Sequence, residues 1–511
     1  MDWQLWQESI AKNLHNLVNK MQQHPELYGV DQDAPGNHPK SMLDALYEEG
    51  MIPTYSFPKN VVSLYTFNGR KVKYAVERGL DVAISEDAPG RSVVVDKETY
   101  QIGGLYYPYS EFRKGFFGRP ALSYMEDPNY HRPLYTCDAC GWFGFEKAAD
   151  GTCPFCGGRD VHFSRYMVRP WGFAPKEAKP IAEAQLTEEY SSAEQPLYST
   201  LPDASVMKAV TGWKKIRMAP RRNQRIIMVN HGPDGKGFMI CRDCGAVMPG
   251  DDEKSLAHIR RPYPDRKTCH HAYCENIDLG YDFITDMLVM EIPLDDAALD
   301  TSQETLERWF SRAAQSLAEA LRITVSKMLD IEYTELVSGY RIRHQEHGAC
   351  IDIYLYDSLS SGAGYAIRLA KDIPDILSQT QELLAGCQCE SACHQCLKHY
   401  RNQYIHRLLD RYAALHLMAW AKNGEIETAL PFDTQQKKLN TIQNILSAAD
   451  CKLTFDQTKQ KISVHHGANT KDIVVYPWMN QCPQIHNTIC LSDAVMKYAK
   501  PYAVQKILQA F

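Results

Sequence analysis

The 511-residue chain has no run of about 18 apolar residues, which excludes a membrane-spanning helix. Its first residues, MDWQLWQESIAKNLHNLV, are polar and helical in pattern, without the apolar block and small-residue cleavage site of a secretory leader, so a cytoplasmic location is expected. A GxxxxGK[ST] phosphate loop is absent: the nearest string, GPDGKG (232–237), has the wrong spacing and reads as a hairpin turn. No apolar strand ends in a DExx box, since Asp251, Asp252 and Glu253 follow Pro–Gly and belong to a loop. GxSxG and HExxH are absent too. These absences exclude a self-contained nucleotide-driven motor, and no catalytic residue is assigned. There is no surplus of positive charge either. With a net charge of -6, contact with nucleic acid has to come from local patches.

What the sequence holds instead is cysteine, sixteen in all. In a large chain without a leader, cysteines in close CxxC-like pairs indicate metal binding and not disulfides. The first set, TCDACGWFGFEKAADGTCPFCG, sets Cys137, Cys140, Cys153 and Cys156 as two CxxC knuckles twelve residues apart. Two knuckles on a hairpin bring four thiolates to one tetrahedral point, and Gly141 and Gly157 suit the tight turns. The second set joins the knuckle Cys241 and Cys244 to Cys269 and Cys274, with His258, His270 and His271 nearby. A closed site of those four cysteines is favoured. A histidine in place of one cysteine, or histidines that merely face solvent, are the alternatives.

The third set is GCQCESACHQCLKHYRNQYIHRLLDR (386–411), with Cys387, Cys389, Cys393 and Cys396 inside ten residues. A redox pair would be a lone CxxC at a helix start, and a catalytic zinc keeps an open position and favours histidine or carboxylate ligands. The set reads as structural zinc, with an iron–sulfur cluster as the metal alternative. Up to three zinc ions are expected. Cys350, Cys451, Cys482 and Cys490 are scattered and receive no role.

The expected fold is α+β and multidomain: an N-terminal helical segment (1–50), a β-rich region with two four-cysteine zinc sites (51–292), a mixed α/β zinc-binding domain (293–430) and a small α/β tail (431–511). Ser92–Val95 and Tyr100–Ile102 read as a strand pair. Leu306, Phe310, Ala313, Leu317, Leu321 and Val325 form one face of a long helix. IDIYLYD (351–357) alternates like a strand, and a helix is expected over about 365–385. Tyr400, Tyr404, Leu408, Tyr412 and Leu415 make a further helical stripe, in a helix over 397–423. In the tail, KLTFD and DIVVYPW are strand-like, and a last helix starts near Ser492.

The sharpest basic run, GWKKIRMAPRRNQRI, carries Lys214, Lys215, Arg217, Arg221, Arg222 and Arg225 with no acid among them. The segment after the third cysteine set adds Lys398, Arg401 and Arg407. Both are candidate DNA-binding surfaces, through sequence-neutral and salt-sensitive phosphate contacts. A solvated charged hairpin is the alternative for the first. SSGAG (360–364) can form an anion-binding nest before its helix or serve as a plain strand–helix turn.

IYLYDSLSSGAGYA, then a helix, then CQCESACHQCLKHYRNQYIHRLLDRYAAL, resembles the zinc-binding domain at the C-terminus of the mitomycin-repair (MrfA-type) superfamily 2 helicases. That domain also occurs in anti-phage helicase systems of the DISARM (DrmB) and Druantia types. Ser361 stands where the family's usual turn has its first glycine. ALYEEGMIPTYSFPKNVVSL and EDAPGRSVVVDKETYQIGGL resemble segments that follow the motor in such helicases, so the likeness covers about 40–425. It implies Cys387, Cys389, Cys393 and Cys396 as zinc ligands and carries over no catalytic residue. In those helicases two RecA-like lobes precede this region. The resemblance therefore implies a C-terminal helicase module working as a separate polypeptide, with the motor on a partner chain or removed from this one.

The expected function is a non-catalytic, zinc-stapled DNA-binding subunit of a superfamily 2 helicase in anti-phage defence. One alternative is a metal-dependent nuclease or hydrolase using the tail or the Asp352/Asp357 strand, although Asp352 alternates with apolar residues and is expected to face solvent. The other is a zinc-stapled protein–protein adaptor in DNA repair.

Overall fold

Two long antiparallel strands, Trp213–Asn230 and Cys274–Leu294, form the spine, with a register shift between Arg221 and Gln224. Side chains alternate across a strand. Leu288, Met290, Ile292 and Leu294 are buried on one face of the second strand, and Met287 and Val289 on the other. A layer of helices covers the first face. A five-stranded sheet that includes Val61–Asn68 and Glu98–Leu105 packs against the second. The structure, a computed structural model, describes residues 61–108, 118–139, 142–154, 157–177, 180, 197–198, 207–265, 267–295, 297–345, 348–358 and 364–511, with scattered positions between 11 and 22. The helices expected over 1–50 otherwise lie outside the described residues.

The fold is a mixed α+β arrangement with several sheets, as expected. Strand Gly348–Asp357 pairs with Met287–Leu294. The boundary expected between 292 and 293 therefore falls inside a strand, and the flanking regions share one sheet. The change in composition near 301 marks a change from strands to helices and not a break in the sheet.

Helix α1 (Ser311–Leu329) follows a π-turn at Leu306–Phe310. Leu306, Phe310, Ala313, Leu317, Leu321 and Val325 are each no more than 2% exposed, as their three- and four-residue spacing requires. Helix α2 (Tyr365–Gly386) and helix α3 (Arg411–Asn423) complete the layer. The expected hairpin is present as Ser92–Val95 and Glu98–Leu105, with Asp96 and Lys97 at positive φ in its turn. From Phe432 onward, four strands in the order Cys451–Asp456, Lys461–His466, Asn469–Tyr476 and Thr488–Ser492 pack with helices around a separate core that includes Leu439, Val464, Val475 and Ile507. Ser492 caps the helix Asp493–Tyr498. Among the described residues no helix is long and apolar enough to cross a membrane.

One buried acid makes stability depend on pH. Asp87, fully buried behind helix Leu80–Glu86, has Arg78 at 3.5 Å and no hydrogen bond to either carboxylate oxygen. Burial pushes its carboxyl up to about 6, against the pull of Arg78. An acid raised on folding favours the folded state fully below its unfolded value of about 3.9, and that contribution is lost as pH rises through the folded value. Asp87→Asn is therefore expected to stabilise the chain at pH 7.5 by about 3 kcal/mol and to leave it nearly unchanged near pH 4. Melting curves at the two pH values check this, and an equal effect at both would contradict it.

Candidate metal centres and the surface they hold

The sulfurs of Cys387, Cys389, Cys393 and Cys396 all lie within 4.8 Å of one another. Cys387 and Cys393 are 3.4 Å apart, Cys389 and Cys396 3.7 Å, and Cys393 and Cys396 3.9 Å. Sulfurs about 2.3 Å from one tetrahedral zinc ion stand about 3.8 Å apart, so the set fits a single ion with no open coordination position. In a four-iron cluster each thiolate binds a different iron and the sulfurs stand further apart, so one ion is the better fit. The donor chemistry agrees. The Cys387 thiol is drawn down to about 7, first by the Cys389 backbone N–H, while burial pushes Cys396 up to about 12 and raises Cys389 as well. Thiols this close oppose one another's ionisation, and a bound dication removes that conflict.

The loop is tied to the rest of the molecule through three consecutive carbonyls. Arg411 donates from Nε to Cys389 O (2.9 Å) and from its backbone N to Ser391 O (2.8 Å), and Lys497 Nζ donates to Glu390 O (3.2 Å). Arg411 Nη1 also reaches Leu384 O at the end of α2, at 3.0 Å. Asp410 caps α3 through Tyr412 N and accepts from Lys497 Nζ at 3.0 Å and from Tyr498 OH. The cysteine loop, α3 and the C-terminal unit thus meet at Asp410 and Arg411. In the sequence these two residues stand in the LDR stretch of the family resemblance, without a role assigned to either.

The single helix expected over 397–423 is two pieces. A 3-10 segment, Tyr400–Ile405, is capped by His399 and Asn402, and α3 starts only at Arg411. Asn402 is fully buried, donating to Glu319 Oε2 (2.8 Å) and Leu397 O (3.0 Å). Glu319 also accepts from Ser338 Oγ at 3.2 Å and from Tyr333 OH. These polar anchors bend the chain where apolar spacing alone implied continuity. Of the expected stripe, Tyr400 (74% exposed), Leu408 (48%) and Tyr412 (42%) accordingly face solvent, while Leu415 is half-buried against the main core.

The second group consists of Cys241, Cys244, Cys269 and His271, whose ligand atoms also lie within 4.8 Å of one another. Cys241 and Cys269 sulfurs are 3.8 Å apart, and Cys244 Sγ is 3.7 Å from His271 Nδ1. Gly245 at φ 81° turns the knuckle, and Ala246 N donates to Cys244 Sγ. His271 Nε2 lies 2.8 Å from Ile259 O, which holds the proton on Nε2 and leaves Nδ1 free for a metal. His271 thus stands where Cys274 was expected. Cys274 sits opposite Cys241 on the neighbouring strand, and its sulfur turns to His271 O at 3.1 Å. The sequence offered three histidines, and only the loop path, with His271 at φ 48°, selects one. His271→Ala is expected to cost the chain one zinc ion and Cys274→Ser none. Metal content of the two purified variants checks this, and the reverse outcome would restore the four-cysteine set.

In the first set, Cys137 and Cys153 are buried beside Trp142, and Gly157 takes the left-handed turn expected of it, at φ 72°. Cys140 and Cys156 lie outside the described residues.

The two basic segments differ. On strand Trp213–Asn230, Lys215 pairs with Asp295 (2.7 Å), Arg217 with Glu291 (3.0 Å) and Arg225 with Asp282 (3.3 Å), while Lys214 and Arg222 are exposed and Arg221 is half-buried. The neutralising acids come mostly from the neighbouring strand, so the run looked more basic in sequence than it is in space. Around the third cysteine set, Arg401 and Arg407 are exposed and Lys398 half-buried, flanking Tyr400.

The carboxylates suggested for a hydrolase are committed elsewhere. Asp352 does not face solvent: it is fully buried between Arg341 (3.2 Å) and Arg343 (2.6 Å). Asp357, also buried, accepts from the backbone N–H groups of Gly364, Tyr365 and Ala366 at 2.6–3.1 Å. The N–H groups that open α2 therefore hold this chain's own carboxylate. Residues 359–363 of the turn lie outside the described residues.

Residues 317–397, from within α1 to just past the last cysteine, match the family described as MrfA Zn-binding domain. The Druantia protein DruE of Escherichia coli (strain UMEA 4076-1) is 31% identical over 474 residues, 85% of this chain and 25% of DruE. The chain thus spans about a quarter of the length of that relative. Among solved structures, the crystal structure of the DUF1998 helicase MrfA bound to DNA has a TM-score of 0.37 and 12% identity, over 79% of this chain and 39% of that one. MrfA bound to DNA and AMPPNP gives a TM-score of 0.29 and 10% identity, over 71% and 31%.

Proposed function

From its MrfA-type zinc-binding domain and its relation to DruE, we propose that this chain is a non-catalytic, zinc-stapled module that binds DNA for a superfamily 2 helicase motor in anti-phage defence. Zinc at Cys387, Cys389, Cys393 and Cys396, and at Cys241, Cys244, Cys269 and His271, would supply folding energy and fixed loops. Both groups are closed, so neither offers a position for substrate. The observation that carries the proposal is the cysteine loop with the segment it anchors: Lys398, Tyr400, Arg401 and Arg407 stand on a turn whose backbone is pinned by buried Asn402. A cation-flanked exposed tyrosine on a rigid turn suits a phosphate backbone with a base to stack on.

DNA affinity is expected to fall steeply with salt. The double variant Arg401→Glu/Arg407→Glu should weaken binding at least tenfold at low salt and reduce the log–log salt slope by about two. Arg217→Glu, which removes a cation already paired with Glu291, should do less. Fluorescence anisotropy with labelled DNA over a salt series measures all three. Unchanged binding by the double variant would favour the adaptor, with Tyr400 and Leu408 as protein contacts. Turnover of DNA by the isolated chain with a divalent cation would favour the nuclease.

A further inference from the structure

A cleft of about 520 Å³ opens between α3 and the C-terminal unit, within the range of about 300–1,000 Å³ usual for ligand sites. Its walls carry Trp309, Tyr412, Trp478 and Tyr498. Trp309 and Tyr498 stack with ring centroids 5.9 Å apart, and Tyr412 and Tyr498 are 42% and 36% exposed. Trp478 is buried edge-on against Phe310 in the main core and helps to join the two units, as do the polar contacts of Lys497 and Tyr498 to Asp410 and of Lys438 to Asp493 at 3.5 Å, which leaves Trp309, Tyr412 and Tyr498 at the opening.

The charge at the cleft is arranged in layers. Asp410 and Asp493 are neutralised by those lysines, while Arg312 and Lys500 stand on the lining as further cations. The Arg312 guanidinium lies 4.1 Å over the Tyr498 ring, and its buried Nε has no hydrogen-bond partner. Its Nη1 donates to Arg407 O at 2.8 Å, which joins the cleft directly to the basic turn described above. Glu390 and Glu427 on the lining offer carboxylates that can accept from the amino edge of a base.

We infer that this cleft takes one unpaired nucleotide of a single strand, with its base against the Trp309 ring and its phosphate toward Arg312 and Lys500. The inference rests on the DNA-binding role proposed above and adds a preference for single strands. A duplex end cannot present an unstacked base without first paying for unpairing.

The test compares Trp309→Leu, which keeps apolar bulk without a ring, and Trp309→Phe, which keeps a ring. The probes are an oligo(dT) carrying one 2-aminopurine and a duplex of equal length. Unchanged melting temperature and zinc content confirm that the variants fold. Loss of base stacking should weaken single-strand binding about tenfold in the leucine variant and abolish the 2-aminopurine quenching, with duplex affinity unchanged and the phenylalanine variant near wild type. Equal weakening on both DNAs, or full single-strand affinity in Trp309→Leu, would overturn the inference, the latter leaving the cleft to another occupant such as a protein segment. If wild-type chain bound neither DNA, the broader DNA role would fail first, and this one with it.

Discussion

Replacing Cys393 and Cys396 together by serine should remove one zinc ion per chain and unfold the region from α2 through α3. A closed zinc site contributes on the order of 10 kcal/mol in small peptides, comparable with the entire stability of about 5–15 kcal/mol of an ordinary domain. The loss should spread in a defined direction. Without metal the loop that presents the carbonyls of Cys389, Glu390 and Ser391 has no fixed shape, so Arg411 and Lys497 lose their acceptors. The C-terminal unit, with its own core, should then be held by Trp478, Met479 and Ala494 against the main core and by the 298–300 to 479–481 backbone bonds, and should loosen before it melts. Limited proteolysis is expected to release a fragment beginning near Phe432, and metal analysis to fall by one equivalent. Cys350→Ala is the contrasting variant: that cysteine is buried beside Asp352, away from both ligand groups, and metal content should not change. A double serine variant that melts as wild type would place the folding energy elsewhere.

The second large effect is expected at Arg343. Glu291 and Asp352 are direct cross-strand partners, two carboxylates side by side in the sheet, 5% and 0% exposed. Like charges so placed repel. Arg343 bridges them, donating Nη2 to Glu291 Oε1 (2.8 Å) and to Asp352 Oδ1 (2.6 Å) and Nε to Asp352 Oδ2 (2.7 Å). Asp352 holds it above its ordinary pKa despite burial. Arg343→Leu leaves both acids in the sheet with only Arg341 and Arg217 to answer them, and breaking a buried pair of this kind costs about 3–5 kcal/mol. Arg343→Lys should recover part of the loss, because one ammonium lacks the planar fork that serves both carboxylates. Denaturant unfolding of the two variants measures this. A leucine variant within about 1 kcal/mol of wild type would mean that the acids find water or each other's protons instead.

The legible parts of the sequence were those where one local rule decides the outcome. The three- and four-residue apolar spacing from Leu306 to Val325 predicted α1, and IDIYLYD predicted its strand, because burial enforces period on each. Cysteine spacing gathered the third ligand set unaided, since ten residues leave the loop few other paths. The misread parts were settled by partners far away in sequence. Asp352 alternates like a surface residue, but the facing residue on its other side is Glu291 and the cations come from Arg341 and Arg343. The basic run at 214–225 could not disclose that Glu291, Asp282 and Asp295 would stand beside it. At the second group, strand pairing sets Cys274 opposite Cys241 with its sulfur toward a carbonyl, and His271 is the fourth donor that lies with Cys241, Cys244 and Cys269. Tyr400 and Leu408 fell at helical spacing in a stretch that buried Asn402 breaks.

The central claim is that the metal centres are closed and structural, so that their work is to hold a surface. X-ray absorption at the zinc edge of the purified chain tests it most directly. The predicted result is four-coordinate zinc with a sulfur-dominated shell at about 2.3 Å and, averaged over the ions, fewer than one light-atom ligand each, the imidazole of His271 accounting for it. A shell with more light atoms than that, or a water-derived oxygen on the metal, would mean an open site and would contradict the account.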